Sequence, residues 1–329
     1  MSEFKAALPE VKPSRVIKLE EHNPSWKDYF EREKTAVESA FFEKNDLLVD
    51  VLHVGSTSVE RLIAKPIIDM IVVVKDPYNV DQQLAEAGYK YKGEYNIPMR
   101  RIFGKKGDYE VYMHVYEEGN PEISLNLAFR EFLKSNAEAR EEYSALKISI
   151  VRRNIIHKTD ITGITTYNLE KNVFIQRALN EAGFNGLCMR LCTQDSEWAD
   201  YKSIRLPYLA KIGRINEIDS DQNKKHIVLV KGVAVVAAAQ VDVLEPNAFI
   251  EFLGVKIRDS SRISLLKHLL GNIEKWIEKL GTLFVTTVVT KQDSDIFEHA
   301  HYAKFAETNG VLHMMKYLSS PDIKDVVNS

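Results

Sequence analysis

"HVGSTSVERLIAKPIIDMIVVV", His53 to Val74, joins two apolar stretches through a glycine-serine turn, and the second stretch carries a lone aspartate, Asp69. "LLVDVLHV" and "KPIIDMIVVV" are short, rich in β-branched residues and bounded by polar or proline-containing breaks, so both are expected as strands that pair around Gly55. Glycine lets the backbone approach a ligand closely, and the amides of a following helical turn would point at an anion. Nucleotidyl transfer needs such a turn for phosphates, together with carboxylates that hold magnesium. Gly55 and Ser56 are candidates for the first part and Asp69 for the second. A paired carboxylate on the same strand face would fall two residues on, where Ile71 stands.

Upstream, "SWKDYFEREKTAVESAFFE" repeats Trp26, Tyr29, Phe30, Ala36 and Phe41 at helical spacing, with Ser25 expected as its N-cap. Downstream, "VDQQLAEAG" reads as a helix and "RRIFGKKG" and "YEVYMHVYEE" as strands. An almost unbroken helical zone follows from about Ser124 to Leu179, closed by Gly183. At Cys188 the pattern starts again with a strand, "LCMRLCT", a helix from Asp195 to Arg205, and the strands "HIVLVKG", "VAVVAAAQVDVL" and "AFIEFLGVKI". A long amphipathic helix from Ser261 to Leu280, the strand "TLFVTTVV", a helix from Ile296 to Glu307 and the strand "VLHMMKYL" complete it. "NEAGFNG" interrupts both patterns, so the expected units are 1–183 and 184–329, and the fold class is α/β (α+β).

The 329 residues are 45% hydrophobic and 28% charged with a formal net charge of -3, which suits a globular chain with two cores. That balance gives no whole-chain attraction to nucleic acid or membrane, so a small-molecule partner is expected. Cys188 and Cys192 fit neither a disulfide framework nor a zinc site. With no apolar run of signal-peptide or membrane-span type, the expected location is the cytoplasm.

"HVGSTSV", "AKPIIDMIV", "YMHVYEEG", "LAFREFLKSN" with "REEYSALK", and "YNLEKNVFI" resemble the GrpB-like family in order and spacing, from about Val16 to Leu179. The resemblance implies a nucleotidyltransferase fold, a mixed sheet with helices at its side. It places family motif positions at His53, Gly55, Ser56, Thr57, Lys65, Pro66, Asp69, His114, Phe129, Arg130, Tyr167 and Lys171. Nucleotide with magnesium is the implied ligand: Gly55, Ser56, Thr57, Lys65, Arg130 and Lys171 contact it, Asp69 holds the metal, and Asp69 and His114 are the catalytic candidates. Lys65, Arg100, Arg101, Arg130 and Lys171 form a phosphate-binding set if they converge. This chain departs from the family at Glu60 and Arg61, where Pro-Gly is common, and at Tyr112, where a second histidine is common. The same residues have plainer readings: a tight turn at Gly55, an Asp69 paired with Lys65, and a hydrogen-bonded strand histidine at 114.

The order of elements from 188 to 320 resembles the GNAT acyltransferase family. That resemblance implies acetyl-CoA as acyl donor, with Gly254 and Val255 on a splayed strand and Ser261 and Arg262 at a helix start as its contacts. The family's glycine-rich loop is replaced here by Arg258, Ser260, Ser261 and Arg262. Glu251 is the implied base for an amine, Tyr302 the implied acid for the leaving thiolate, and Phe305 a packing aromatic. His299, His301 and His313 have no ligand spacing for a metal. The sequence therefore supports a two-domain transferase acting on nucleotide or phosphate in one half and on acetyl-CoA and a small amine in the other. The alternative is that one or both domains are catalytically degenerate and act as a ligand-binding or regulatory module.

Overall fold

The structure, a computed structural model, describes residues 17–44, 46–153, 166–211, 224–256 and 260–318. It is a mixed α/β chain built on two sheets. α1 (Ser25–Ala40) starts where Asn23 Oδ1 accepts from the Ser25 N–H at 3.0 Å, so Ser25 is the first helical residue and not the cap. Trp26, Phe30 and Val37 are its buried apolar stripe; burying each such side chain stabilises by about 1.5–3 kcal/mol.

β1 (Leu48–Val54) and β2 (Ile67–Val74) pair antiparallel, with Val54 opposite Asp69. α2 (Asp81–Glu86), β3 (Lys90–Gly93), β4 (Arg101–Lys106) and β5 (Glu110–Glu117) follow. The sheet order is β1-β2-β5-β4-β3, and β2 with β5 is its parallel pair. β3, a short charged edge strand, lies where the sequence patterning predicts no strand.

Alternation along β2 assigns the two faces of this sheet. Ile68, Met70, Val72 and Val74 pack with Trp26, Phe30 and Val37 of α1. Ile71 and Val73 face the other way and join Val54 and Tyr116, closed by Ile123 and Leu127 of α3 (Pro121–Ser135). Asp69 points to this second face.

The expected continuous helical zone is broken at Asn136. Its side chain accepts from the Ala139 N–H at 3.0 Å and caps α4 (Ala137–Arg152), while Asn120 caps α3. α5 (Thr166–Glu170) and α6 (Asn172–Glu181) complete this layer, and residues 154–165 lie outside the described part. Leu133, Tyr143, Phe174 and Ala178 from these helices bury Val59 and Leu62, which follow the Gly55 turn. Packing thus lays α3, α4 and α6 over the segment that follows the Gly55 turn.

The second sheet begins with β6 (Leu187–Leu191), then α7 (Asp195–Lys211), β7 (Lys224–Lys231), β8 (Ala234–Leu244) and β9 (Asn247–Val255). α8 (Arg262–Lys279), β10 (Phe284–Thr290), α9 (Ser294–His299), β11 (Ala303–Thr308) and β12 (Val311–Tyr317) follow. The strand order is β11-β12-β10-β9-β8-β7-β6, with β9 and β10 parallel. α8 covers one face through Leu266, Leu269, Leu270, Ile273 and Ile277; α7 covers the other through Tyr201 and Ile204.

The helix expected from Ile296 to Glu307 ends at His299. His301 adopts φ +66°, and the chain turns into β11, which forms a hairpin with β12. Phe305 on β11 is 59% exposed, so it is not the packing residue the resemblance implies. Cys188 and Cys192 are buried, unpaired thiols.

The two units touch along several polar contacts. Leu191 N–H donates to Asn96 O at 2.8 Å, Arg190 pairs with buried Glu122 at 3.2 Å, and Trp276 Nε1 donates to Glu94 Oε2 at 2.9 Å. Lys279 pairs with Asp76 at 3.0 Å, Lys275 pairs with Glu117, and Met99 packs against the second core. Among the described residues no helix is long and apolar enough to cross a membrane.

Candidate functional site

Gly55 has φ +68° and ψ -172°, a conformation open to glycine. A Cβ there would lie 2.5 Å from Asp69 Oδ2 and 2.8 Å from Asp69 Cβ, so glycine is what lets the end of β1 lie against that carboxylate. A single 3-10 turn, Ser56–Ser58, follows, closed by Ser58 Oγ donating to Gly55 O at 2.6 Å.

Thr57 is buried and its hydroxyl donates to Ile67 O at 3.1 Å, so it accepts from His53 Nε2, also at 3.1 Å. This latch ties the turn to the start of β2 and gives Thr57 a structural use in place of the ligand contact implied for it. The His53 ring stacks on Phe30 at 4.7 Å, and burial, helped by Arg130 and Lys134, lowers its pKa to about 4. Arg130 donates to His53 O at 2.7 Å and pairs with Glu131, which holds it behind the turn.

Two lysines, Lys171 and Lys65, bear on Asp69. Lys65 Nζ lies 4.0 Å and Lys171 Nζ 4.5 Å from the centre of the Tyr167 ring, so both ammonium groups sit against the same ring. Lys147, only 1% exposed on α4, donates to Ser56 Oγ at 3.1 Å and to Ile63 O, with its Nζ 4.5 Å from the Tyr143 ring. Burial pushes Asp69 up to about 6; Lys171 and Lys65 oppose the rise and Glu110 adds to it. Burial pulls Lys171 down to about 7, with Lys65 adding to the fall, and burial with the Lys171 charge brings Lys147 to about 7.

The expected phosphate set does not converge. Arg101 is bound to Asp81 at 2.5 Å beneath Tyr91, and Arg100 donates to Glu94 O at 3.2 Å. His114 pairs in register with Ile71, not Asp69, and stacks near Tyr116 at 6.5 Å. Burial and Arg100 hold it down to about 3, so it is neutral and set apart from the carboxylate it is expected to assist. Lys147 was missed, although it lies in the quoted "REEYSALK" run, because a lysine on an amphipathic helix reads as a solvated charge. Glu110 was missed because its place beside β2 depends on strand register, Ile67 opposite Glu110.

The residues present do not fit a magnesium ion. Among the described residues no cluster of three or more histidine, cysteine or acidic side chains has metal-holding geometry. Ile71, at the partner position, is buried among Val54, Val73 and Tyr116, and the charges bearing on Asp69 include two ammonium groups. Such a set attracts an anion and repels a divalent cation.

In the second unit, β9 and β10 pair from Asn247 with Phe284 to Ile250 with Thr287 and then part. Tyr208 of α7 crosses the gap and donates to Val288 O at 3.1 Å. Against β8, the register moves from Gln240 opposite Phe252 to Val241 opposite Ile250, which makes Glu251 the extra residue of a β-bulge. Gln240 Nε2 donates to the Glu251 carboxylate, Tyr201 donates to Gln240 Oε1 at 3.3 Å, and His226 Nδ1 lies 2.9 Å from the Tyr201 oxygen.

A cleft of about 430 Å³ opens beside the parted strands, lined by Tyr208, Leu253, Gly254, Val255, Arg262 and Asp293 among others. A Cβ on Gly254 would meet Phe252 Cε2 at 2.8 Å and Ile204 Cγ2 at 3.1 Å, so the glycine preserves close packing of α7 on β9. Ser261 precedes α8 as its N-cap residue without a side-chain cap bond, and Arg262 is paired with Asp293. Arg258 lies outside the described residues. Gly254, Val255 and Arg262 therefore meet at one cleft. Tyr302 does not line it: the ring is 4% exposed in the α8 core, edge-on to Phe297 at 5.1 Å. Burial and Glu274 push its phenol far above the ordinary tyrosine range, which removes it as the proton donor.

A sequence model of the family described as "GrpB protein" matches residues 16–181. The UPF0157 protein YqkA of Bacillus subtilis is 36% identical over 139 residues, which cover 41% of this chain and 40% of that protein. The match thus spans less than half the length of that relative. Among solved structures, GrpB from Enterococcus faecalis is 30% identical over 50% of this chain and 96% of its own, with a TM-score of 0.43. The PaiA N-acetyltransferase of Thermoplasma acidophilum, solved in complex with coenzyme A, is 13% identical over 40% of this chain and 99% of its own, with a TM-score of 0.32.

Proposed function

The chain belongs to the GrpB family, and from that premise we propose a two-domain transferase in which a GrpB unit that binds a phosphate-bearing ligand is joined to an N-acyltransferase unit. The observation that carries the second part is the parting of β9 from β10 directly beside the Glu251 bulge. Parting leaves backbone groups of β9 beyond Ile250 outside the β10 ladder, at the edge of the cleft. Gly254 and Val255 would hold the amide-rich arm of acyl-coenzyme A there, and α8, starting at Arg262, offers its N-terminus to the phosphates. Bound in that cleft, the coenzyme supplies an activated acyl group.

Glu251 is the base of this reading. Its carboxylate takes the proton of an acceptor ammonium and so exposes the nitrogen lone pair, while Gln240 fixes its direction. The N–H groups of β9 next to the bulge would stabilise developing negative charge on the acyl oxygen. Tyr302 has no part.

One observation favours the second reading, a coenzyme-binding module without turnover: the Arg262 guanidinium is already committed to Asp293. Thermal shift with acetyl-CoA, alongside thiol release in the presence of a panel of small primary amines, separates the two. Stabilisation with amine-dependent thiol release that Glu251→Gln abolishes supports the transferase. Stabilisation without release supports the module, and the absence of any shift at millimolar coenzyme refutes both.

A further inference from the structure

The fork between β9 and β10 is built into the sheet. The two strands run parallel and last pair at Ile250 and Thr287. There Thr287 Oγ1 donates to Ile250 O at 2.8 Å, and at the next residue of β10 the Tyr208 hydroxyl donates to Val288 O at 3.1 Å. Two carbonyls at the fork thus accept from side-chain hydroxyls, so the strands part with those backbone oxygens still bonded.

Tyr208 reaches this apex from α7. Its ring packs on Phe252 at 5.2 Å, and buried Phe252 is held edge-on by Tyr201 at 6.1 Å. The hydroxyl bond to Val288 and the packing on Phe252 fix the Tyr208 ring at both ends. From the apex both strands run outward toward α8. β9 passes Gly254 and reaches Val255, while β10 reaches Thr290, whose hydroxyl donates to Asp293, the partner of Arg262, at 3.0 Å. Tyr208 and Arg262 therefore line one cleft from opposite ends. A donor with its phosphates at Arg262 and its amide arm along Gly254 and Val255 has its thioester, and any acyl chain it carries, directed at the Tyr208 ring.

We infer that the Tyr208 ring closes the inner end of the cleft and limits the acyl donor to short thioesters, acetyl or propionyl, at the expense of medium and long acyl chains. The inference rests on reading the cleft as the acyl-donor site and adds which acyl group it takes. An octanoyl chain must place its further methylenes where the ring stands. One methylene without room in a close-fitting pocket already weakens recognition by about tenfold or more.

The test is isothermal titration calorimetry on the full chain with free coenzyme A, acetyl-CoA and octanoyl-CoA, a readout that requires neither turnover nor an amine. The quantity compared is the affinity of each acyl-CoA relative to free coenzyme A, which divides out any effect on the coenzyme arm. Acetyl-CoA should bind at least as tightly as coenzyme A, and octanoyl-CoA more weakly by about tenfold or more. Tyr208→Ala should bring octanoyl-CoA level with acetyl-CoA or beyond it. Tyr208→Phe, which keeps the ring, should keep the discrimination. Tyr208→Leu disturbs the packing on Phe252 less and should shift the preference in the same direction as Tyr208→Ala, so it decides the matter if the alanine variant melts early by circular dichroism.

Octanoyl-CoA binding to the parent chain as tightly as acetyl-CoA overturns the inference, as does a discrimination that Tyr208→Leu and Tyr208→Ala leave in place. Discrimination lost in Tyr208→Phe assigns it to the hydroxyl bond and overturns the role of the ring. In each of these cases the coenzyme still binds, so the acyl-donor cleft stands. No binding of coenzyme A, acetyl-CoA or octanoyl-CoA overturns the cleft reading and this inference together.

Discussion

Gly55→Ala puts the contact between the turn and Asp69 to a direct test. The new methyl carbon would lie 2.5 Å from Asp69 Oδ2, 2.8 Å from its Cβ and 3.0 Å from its Cγ, all shorter than a van der Waals contact. Holding an L-residue at this backbone conformation costs about 1–3 kcal/mol. Crowding a packed neighbour adds about 1–3 kcal/mol, so the combined loss should be about 2–6 kcal/mol. Urea-dependent hydrogen exchange of the β2 amides reads this loss in the first sheet without mixing in unfolding of the second. Repeating the substitution on Asp69→Ala removes two of the three colliding atoms and leaves the backbone cost. A double-mutant cycle should therefore show coupling of about 1 kcal/mol or more. A loss below about 1 kcal/mol, or a coupling of zero, would refute the claim that the glycine exists to seat the turn against the carboxylate.

Other outcomes follow from the same geometry. Tyr302→Phe should leave the rate of thiol release within about twofold of the parent chain, since its ring lies in the α8 core; a loss of about a hundredfold would restore the proton-donor role. Asp293→Ala should free Arg262 and tighten acetyl-CoA several-fold in a binding titration, and weaker binding would mean that the ion pair shapes the cleft instead. Asp69 keeps its proton in the folded chain up to about pH 6, while in the unfolded chain it ionises in the ordinary carboxylate range. Between those values the folded state holds more protons, so this group's contribution to stability falls as pH rises. Asp69→Asn should flatten that slope, read from urea midpoints at about pH 4 and about pH 7, and an unchanged slope would count against the burial of the carboxyl. Asn136→Ala should cost about 1 kcal/mol through loss of the α4 cap, measured in the same melts.

The strands β1 and β2 and the turn between them were legible because local signals agree there: β-branched runs, a polar break and a glycine where the backbone needs one. β3 escaped because "KYKG" at a sheet edge has no apolar face to show. The break at Asn136 was hidden by good helix formers on both sides; only the side-chain bond to Ala139 marks it. β11 was read as helix because its spacing suits one, and the positive φ of His301 that redirects the chain has no sequence signature. The structure brings Gly55, Lys65, Asp69 and Lys171 together, whereas Arg130 and Thr57 have structural partners and His114 lies opposite Ile71. Those partners, and the approach of Lys147 to Ser56, depend on contacts between distant parts of the chain that spacing does not encode. The pairing of Arg262 with Asp293 is of the same kind.

α8 has one more property. Its first residue, Arg262, lines the cleft beside β9, while Lys275, Trp276 and Lys279 near its other end grip Glu117, Glu94 and Asp76, close to the ends of β5, β3 and β2. One helix thus carries both an edge of that cleft and the polar contacts that join the two sheets.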